Sequence, residues 1–227
     1  MNTTTDAARY FDRLAGSWDR RFTTNGSMRD RLARFRSALS ARLTPGAKVL
    51  DFGCGTGDIS AEIELAGFRV VGVDRSEQMI QRARANHPAS QIRFETLSDT
   101  AGVGCLPFRE SEFDCVLASS VLEYLHDPVS CFAEMHRVAA PNAWMYMTVP
   151  NVYHPIRIAE MVALNLATFL EPVAPMRLRS HLQYIKLSVN RFGVKRWTAL
   201  LRSRQWECVE VSGYFQPLLM IVSRKVR

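Results

Sequence analysis

One stretch constrains this chain more than any other: Val49-Leu50-Asp51-Phe52-Gly53-Cys54-Gly55-Thr56-Gly57-Asp58. Val49 and Leu50 read as the buried end of a β-strand. The three glycines that follow let the backbone turn tightly and approach a ligand closely, because no Cβ stands in the way. A helix beginning near Asp58 aims its free N–H groups back at the turn. Strand, glycine turn and helix in this order make a nucleotide-type site.

The residues around the turn decide which nucleotide. Dinucleotide loops use G-x-G-x-x-G and ATP loops end on Lys-Ser/Thr, in both cases to hold phosphate. Here the spacing is Gly53-x-Gly55-x-Gly57, Asp58 follows with no lysine behind it, and Asp51 precedes the first glycine. Two carboxylates flanking the turn repel phosphate and attract a cation. S-adenosylmethionine (SAM) carries a sulfonium and an α-ammonium and no phosphate. The stretch resembles the first motif of the class I SAM-dependent methyltransferases.

The next residues fall in the order such a site requires. Phe68 to Val73 reads as a buried strand ending at Asp74, about twenty residues past the glycines, where an acid can take two hydrogen bonds from a ribose diol. Ser76 caps a helix from Glu77 to Asn86. Met79, one turn in, is either core or a contact for the adenine face. Gln91 to Glu95 is a third short strand, followed by Ser98-Asp99-Thr100. In the resembling family an Asp here accepts from the adenine amino group, although Ala101 to Cys105 makes the spacing to Leu106-Pro107-Phe108 longer than usual.

Glu112 to Ser119 reads as the fourth strand and leads into Ser120-Val121-Leu122-Glu123-Tyr124-Leu125-His126-Asp127-Pro128. This resembles the S-x-x-L-E-H-x-x-D-P block of methyltransferases such as those of ubiquinone biosynthesis, with Tyr124 where many carry His. Cys131 to Val138 is a helix, Pro141-Asn142-Ala143 stands for a Pro-Gly-Gly turn, and Trp144 to Asn151 is the fifth strand. Val194 to Ser203 is a last crossover helix, and Cys208–Ser212 with Leu218–Ser223 closes the sheet as an antiparallel pair. The resemblance, which covers residues 10–150 and more loosely 190–227, implies a single α/β domain over 1–227. Its centre is a seven-stranded, mostly parallel, doubly wound (Rossmann-like) sheet. N-terminal lid helices in residues 1–44 and a helical insert at 152–190 flank it.

Residues 6–22 read as a helix with Ala7, Tyr10, Phe11, Leu14 and Trp18 on one face. In small-molecule methyltransferases such a segment folds over the cofactor; the alternative is a helix packed for stability alone. Met28 to Leu43 is a second helix with Leu32, Phe35, Leu39 and Leu43 aligned. Between Ile156 and Glu171 the polar residues fall in one arc of about 140°, leaving a broad apolar face. That face suits a roof over the acceptor pocket, a homodimer contact or an interfacial membrane helix. For the cofactor, the resemblance and the residues together name Tyr10, Trp18, Asp51, Gly53, Cys54, Gly55 and Gly57. Asp74, Arg75, Met79, Asp99, Thr100 and Ser119 complete the set.

Methyl transfer from a sulfonium is an in-line displacement, so alignment and exclusion of water supply most of the acceleration. A general base is needed where the acceptor loses a proton, and a histidine suits that role. Tyr124, His126, His154 and His181 are the candidates; His154, just past the fifth strand at the carboxyl edge of the sheet, is preferred, with Tyr124 beside it.

Composition narrows the rest. Five scattered cysteines without a C-x-x-C pair argue against a disulfide framework and a zinc site and for a reducing cytoplasm. No metal-ligand cluster and no bilayer-length apolar run stand out. The net charge of +7 is uneven, since residues 172–227 hold eleven Lys/Arg against only Glu207 and Glu210. That asymmetry is a solvated face or an attraction to an anionic partner. The expected activity is methylation of a small aromatic or apolar metabolite, on oxygen in preference to nitrogen or carbon. An RNA or protein methyltransferase is the second reading, disfavoured because Ala118-Ser119-Ser120-Val121 is not an Asn/Asp-Pro-Pro-Tyr motif. A non-catalytic SAM-binding protein, or an aminopropyl transferase using decarboxylated SAM, is the third.

Overall fold

The computed structural model describes residues 3–18, 26–97, 105–166 and 176–226. At the centre of a seven-stranded sheet is β1 (Lys48–Phe52), parallel to β2 (Arg69–Asp74) on one side and to β4 (Phe113–Ser119) on the other. β3 (Arg93–Thr96) flanks β2, and β5 (Ala139–Pro150) flanks β4, both in parallel. β6 (Trp206–Ser212) and β7 (Leu218–Lys225) form an antiparallel hairpin, with β7 next to β5, so the strand order is β3-β2-β1-β4-β5-β7-β6. The expected mostly parallel, doubly wound sheet is present. Between β1 and β4 the winding reverses direction, and ligands of such sheets sit outside the carboxyl ends of the strands at that reversal.

Alternation along the strands builds two cores. Leu50 of β1 faces one and Val49 the other, because successive side chains point to opposite faces. On the first face α5 (Pro128–Val138) and α8 (Val194–Arg202) bring Phe132 and Trp197 against the sheet. On the second, α2 (Gly26–Ser40), α3 (Asp58–Leu65) and α4 (Glu77–Asn86) bring Phe35, Ile63 and Ile80. Strands covered on both faces read as continuous apolar runs, which is why Val70-Val71-Gly72-Val73 carried so clear a signal. Trp206 is fully buried and its indole N–H donates to the Phe132 carbonyl at 3.2 Å, tying the middle of α5 to the sheet edge.

Some boundaries differ from the sequence reading. β5 begins at Ala139 rather than Trp144, because Ala139 pairs with Phe113 before the register shifts. The Pro141-Asn142-Ala143 turn is thus an excursion inside a strand, with Asn142 in the left-handed region at φ 63°. α1 spans Thr3–Trp18, and residues 19–25, into which the expected helix continues, lie outside the described ones. The 152–190 insert contributes α6 (Pro155–Asn165) and α7 (Met176–Leu187).

The apolar side of α6 is exposed: Ile156, Ile158, Met161, Val162 and Leu166 all reach solvent, as does Tyr153 before it. α6 instead meets the pocket described below through Arg157. Residues 167–171, where the expected apolar face continues, lie outside the described ones. No helix among the described residues is long and apolar enough to cross a membrane.

Several C-terminal cations are used by the fold. The Lys225 ammonium donates to the His136 and Ala139 carbonyls, both at 2.8 Å. Arg191 donates to the Ser188 carbonyl at 3.1 Å and to that of Ile185, Arg196 lies 3.8 Å over the Phe192 ring, and Arg224 stacks on Trp144.

Candidate active site

A pocket opens where the carboxyl ends of β1, β2 and β4 meet, roofed by α1 and bordered by α2, α6 and α7. Its floor is the glycine turn. The Gly53 and Cys54 N–H groups both donate to the Val73 carbonyl, at 2.8 and 3.0 Å, which fastens the turn to the end of β2. Gly53 sits at φ 76°, and a Cβ there would stand 2.7 Å from Val121 Cγ2. Both facts exclude any larger residue. Gly57 lies outside the pocket lining; it caps α3 at φ 80°, and a Cβ would meet Phe94 Cζ at 2.7 Å.

Asp51 and Asp74 are the acids that line the pocket at its glycine-turn end. Asp51 is 1% exposed; its Oδ2 accepts the Ser60 hydroxyl at 2.6 Å, while Oδ1 is buried without a partner. Burial pushes its pKa up to about 7, against the Ser60 hydrogen bond and helped by the charge of Asp74. The Asp74 carboxylate accepts the Gly55 N–H on Oδ2 and the Ser76 N–H on Oδ1, each at 2.9 Å. Burial raises its pKa, and the N–H groups of Ser76, Gly55 and Arg75 oppose that shift. Asp58, expected to share the turn's negative charge, instead accepts the Thr56 hydroxyl at 2.5 Å and does not line the pocket.

The sides come from several elements. Cys54, Gly55, Arg75 and Ser119 line the pocket, as does Met79, 2% exposed on the first turn of α4. The Ser76 hydroxyl accepts the Met79 N–H at 3.1 Å as the helix cap and donates to Asp12 on α1 at 2.5 Å. One side chain thus fixes both α4 and the roof. From α1 the pocket is lined by Ala7, Ala8, Phe11 and Trp18, with the Phe11 and Trp18 rings edge-to-face at 5.4 Å. Tyr10 points elsewhere and stacks near Tyr184 at 6.0 Å. Asp99 and Thr100 lie outside the described residues.

Past the end of β4 stands the 3-10 turn Leu122–Tyr124. Tyr124 lines the pocket, packs edge-on to Phe11 at 5.3 Å and donates its hydroxyl to that of Tyr184 at 2.9 Å. Burial raises its pKa well above the ordinary tyrosine value, so it stays a neutral phenol. Ser120, just past β4, adopts φ 53°, a conformation that a non-glycine residue rarely takes. His154 lies outside the pocket lining; its Nδ1 accepts the Ile156 N–H at 3.3 Å and caps α6. His126 is exposed and also outside the lining, and the side chain of His181 is not among the described ones.

Sequence reasoning missed Arg31, Glu123, Arg157 and Tyr184, all of which line the pocket. Arg31 carried one signal: it lies four residues before Phe35, a cation on the stripe that otherwise faces the core. Among the described residues no cluster of His, Cys, Asp or Glu is arranged to hold a metal ion.

Comparison with known proteins agrees with this geometry. The profile of a family described as "Methyltransferase domain" matches residues 24–211. The ubiquinone biosynthesis O-methyltransferase of Hahella chejuensis is 30% identical over 177 residues, which are 77% of this chain and 69% of that protein. The demethylmenaquinone methyltransferase of Tropheryma whipplei is 28% identical over 76% of this chain and 70% of its own length. The chain spans only 39% of another relative, an uncharacterised 37.1 kDa protein of a Streptomyces fradiae transposon that is 30% identical. Among solved structures, the magnesium protoporphyrin IX methyltransferase of Synechocystis with bound S-adenosylhomocysteine (SAH) superimposes with a TM-score of 0.72. It is 16% identical, over 98% of this chain and 99% of that one, and so speaks for the fold alone. The profile match takes in most of the chain, and the chain therefore belongs to the methyltransferase-domain family, whose methyl donor is S-adenosylmethionine.

Proposed function

We propose that the protein methylates a small metabolite, aromatic or largely apolar, on oxygen in preference to nitrogen or carbon. The observation that carries this reading is the unpartnered, buried Oδ1 of Asp51 in the same pocket as Asp74, a few side chains from an aromatic wall. A buried carboxylate oxygen without a partner is costly, and a cationic ligand offsets that cost while a phosphate adds to it. The residues present thus fit SAM.

Bound there, SAM supplies a methyl group on a positively charged sulfur. Asp51 is placed to hold a cationic group, and Asp74, anchored by two backbone N–H groups, keeps free lone pairs for a ribose diol. Met79, Arg75, Cys54 and Ser119 enclose the same end. Phe11 and Trp18 exclude water from above. Tyr124 and Tyr184 form the acceptor wall, and Tyr124 rather than His154 is the expected acceptor-side group that the pocket presents. The relatives named for quinone biosynthesis support a small-molecule acceptor. The use of C-terminal cations within the fold weakens the reading in which that region recruits RNA.

Calorimetric titration with SAM, SAH, NAD and ATP tests this. Binding of the first two with neither of the others is the expected result. Tight binding of NAD or ATP with indifference to SAH overturns it.

A further inference from the structure

At the acceptor end the pocket carries polar groups that a SAM site does not account for. Arg31 of α2 is half-buried there, and its Nη1 makes a long contact to the Ser120 hydroxyl at 3.4 Å. A guanidinium has five N–H donors in a planar fork, so most of its capacity is unspent. Glu123 is 3% exposed and its Oε2 is buried with no hydrogen-bond partner. The nearby Arg157 is already compensated, donating to Glu160 at 2.8 Å. Between these groups stand the rings of Phe11, Tyr124 and Tyr184.

We propose that this end of the pocket binds an aromatic carboxylate, with the Arg31 fork on the carboxylate and the Glu123 side chain hydrogen-bonded beside it. The inference rests on the methyltransferase reading and adds the acceptor's class: a planar, apolar body carrying a carboxylate. Two unsatisfied groups of opposite kind, a cation and a carboxyl, are then satisfied by one ligand.

Protonation of Glu123 has a physical cause. Burial pushes its pKa up to about 7, although Arg157 and Arg31 oppose the shift. The groups around it are Arg31 from α2, Arg157 and Glu160 from α6, Tyr184 from α7, Arg191 after α7, and Tyr124 on its own turn. Of these cations, Arg157 donates to Glu160 and Arg191 to the Ser188 and Ile185 carbonyls, while the contact of Arg31 is the long one to Ser120. As pH rises through about 7 Glu123 loses its proton and repels the ligand, so affinity for the carboxylate falls.

The test is calorimetric titration of the SAH-saturated protein with benzoate and with its neutral isostere benzamide, one pH unit below and above neutrality. Benzoate is expected to bind at least roughly ten-fold more tightly than benzamide at the lower pH and to weaken by roughly ten-fold at the higher. Arg31→Gln should abolish the preference for benzoate. Glu123→Gln, which keeps a donor, should retain benzoate binding and lose its pH dependence. Equal affinities for the two probes, or no benzoate binding to protein that holds SAH, overturns the proposal and leaves the methyltransferase reading standing. Failure to hold SAH at all defeats that reading instead. The wild-type comparison of probes decides the matter even where a variant does not fold, and SAH affinity reports which variants do.

Discussion

Asp51 accepts the Ser60 hydroxyl on Oδ2 at 2.6 Å, while its Oδ1 is buried with no hydrogen-bond partner. An ionised carboxylate in that position costs the empty protein stability, and a cationic ligand restores it. With a folded pKa of about 7 against an ordinary carboxylate value near 4, the folded state binds the proton more tightly than the unfolded chain. The contribution of Asp51 is thus fully present below about pH 4 and is lost as pH rises to about 7. Asp51→Asn is expected to flatten this slope, to raise stability at pH 8 by roughly 1–3 kcal/mol and to weaken SAM binding. Urea denaturation across that range, with and without SAM, measures both. An unchanged slope counts against the buried ionisation.

Asp74 holds two backbone N–H groups as well as its proposed ligand bonds. Asp74→Ala should therefore weaken SAH binding by about 1–3 kcal/mol and also loosen the turn at Gly55. Calorimetry reads the first effect, and amide hydrogen exchange at Gly55 and Ser76 the second. Unaltered affinity would remove the ribose role.

Gly53→Ala meets two penalties at once, a left-handed backbone and a Cβ 2.7 Å from Val121 Cγ2. The expected loss is roughly 2–4 kcal/mol, from about 1–2 for the dihedral and a similar amount for the overlap. Adding Val121→Ala should recover the steric part only. Full recovery in the double variant, seen in urea midpoints, would show that the dihedral costs nothing.

His154 serves α6 as a cap, so His154→Ala is expected to cost about 0.5–1 kcal/mol of stability and to leave SAH affinity unchanged. Thermal melts and calorimetry check the pair. Loss of methyl transfer in a folded variant would return His154 to the chemistry.

The glycine turn, Asp51, Asp74 and the order of strands were legible because each depends on neighbours close in sequence. A strand end, a tight turn and a cap are local, and the apolar runs of a sheet buried on both faces announce themselves. The His154 assignment went to a cap because sequence position at a sheet edge does not say where an imidazole points. What the apolar face of α6 meets was not legible either: periodicity defines such a face but not its partner. Asp58 was counted with the turn's charge, yet Thr56 holds it away, and Asp74 takes that place from the neighbouring strand.

From the chain alone came the glycine-turn end of the pocket, since its parts follow one another within about thirty residues and their geometry is set by backbone conformation. The acceptor's end needed the tertiary structure. Arg31, Glu123, Tyr124, Arg157 and Tyr184 come from four separate elements, and only the folding of α2, α6 and α7 around the end of β4 brings them together. Their burial, and hence their charge, exists only once that packing has excluded water.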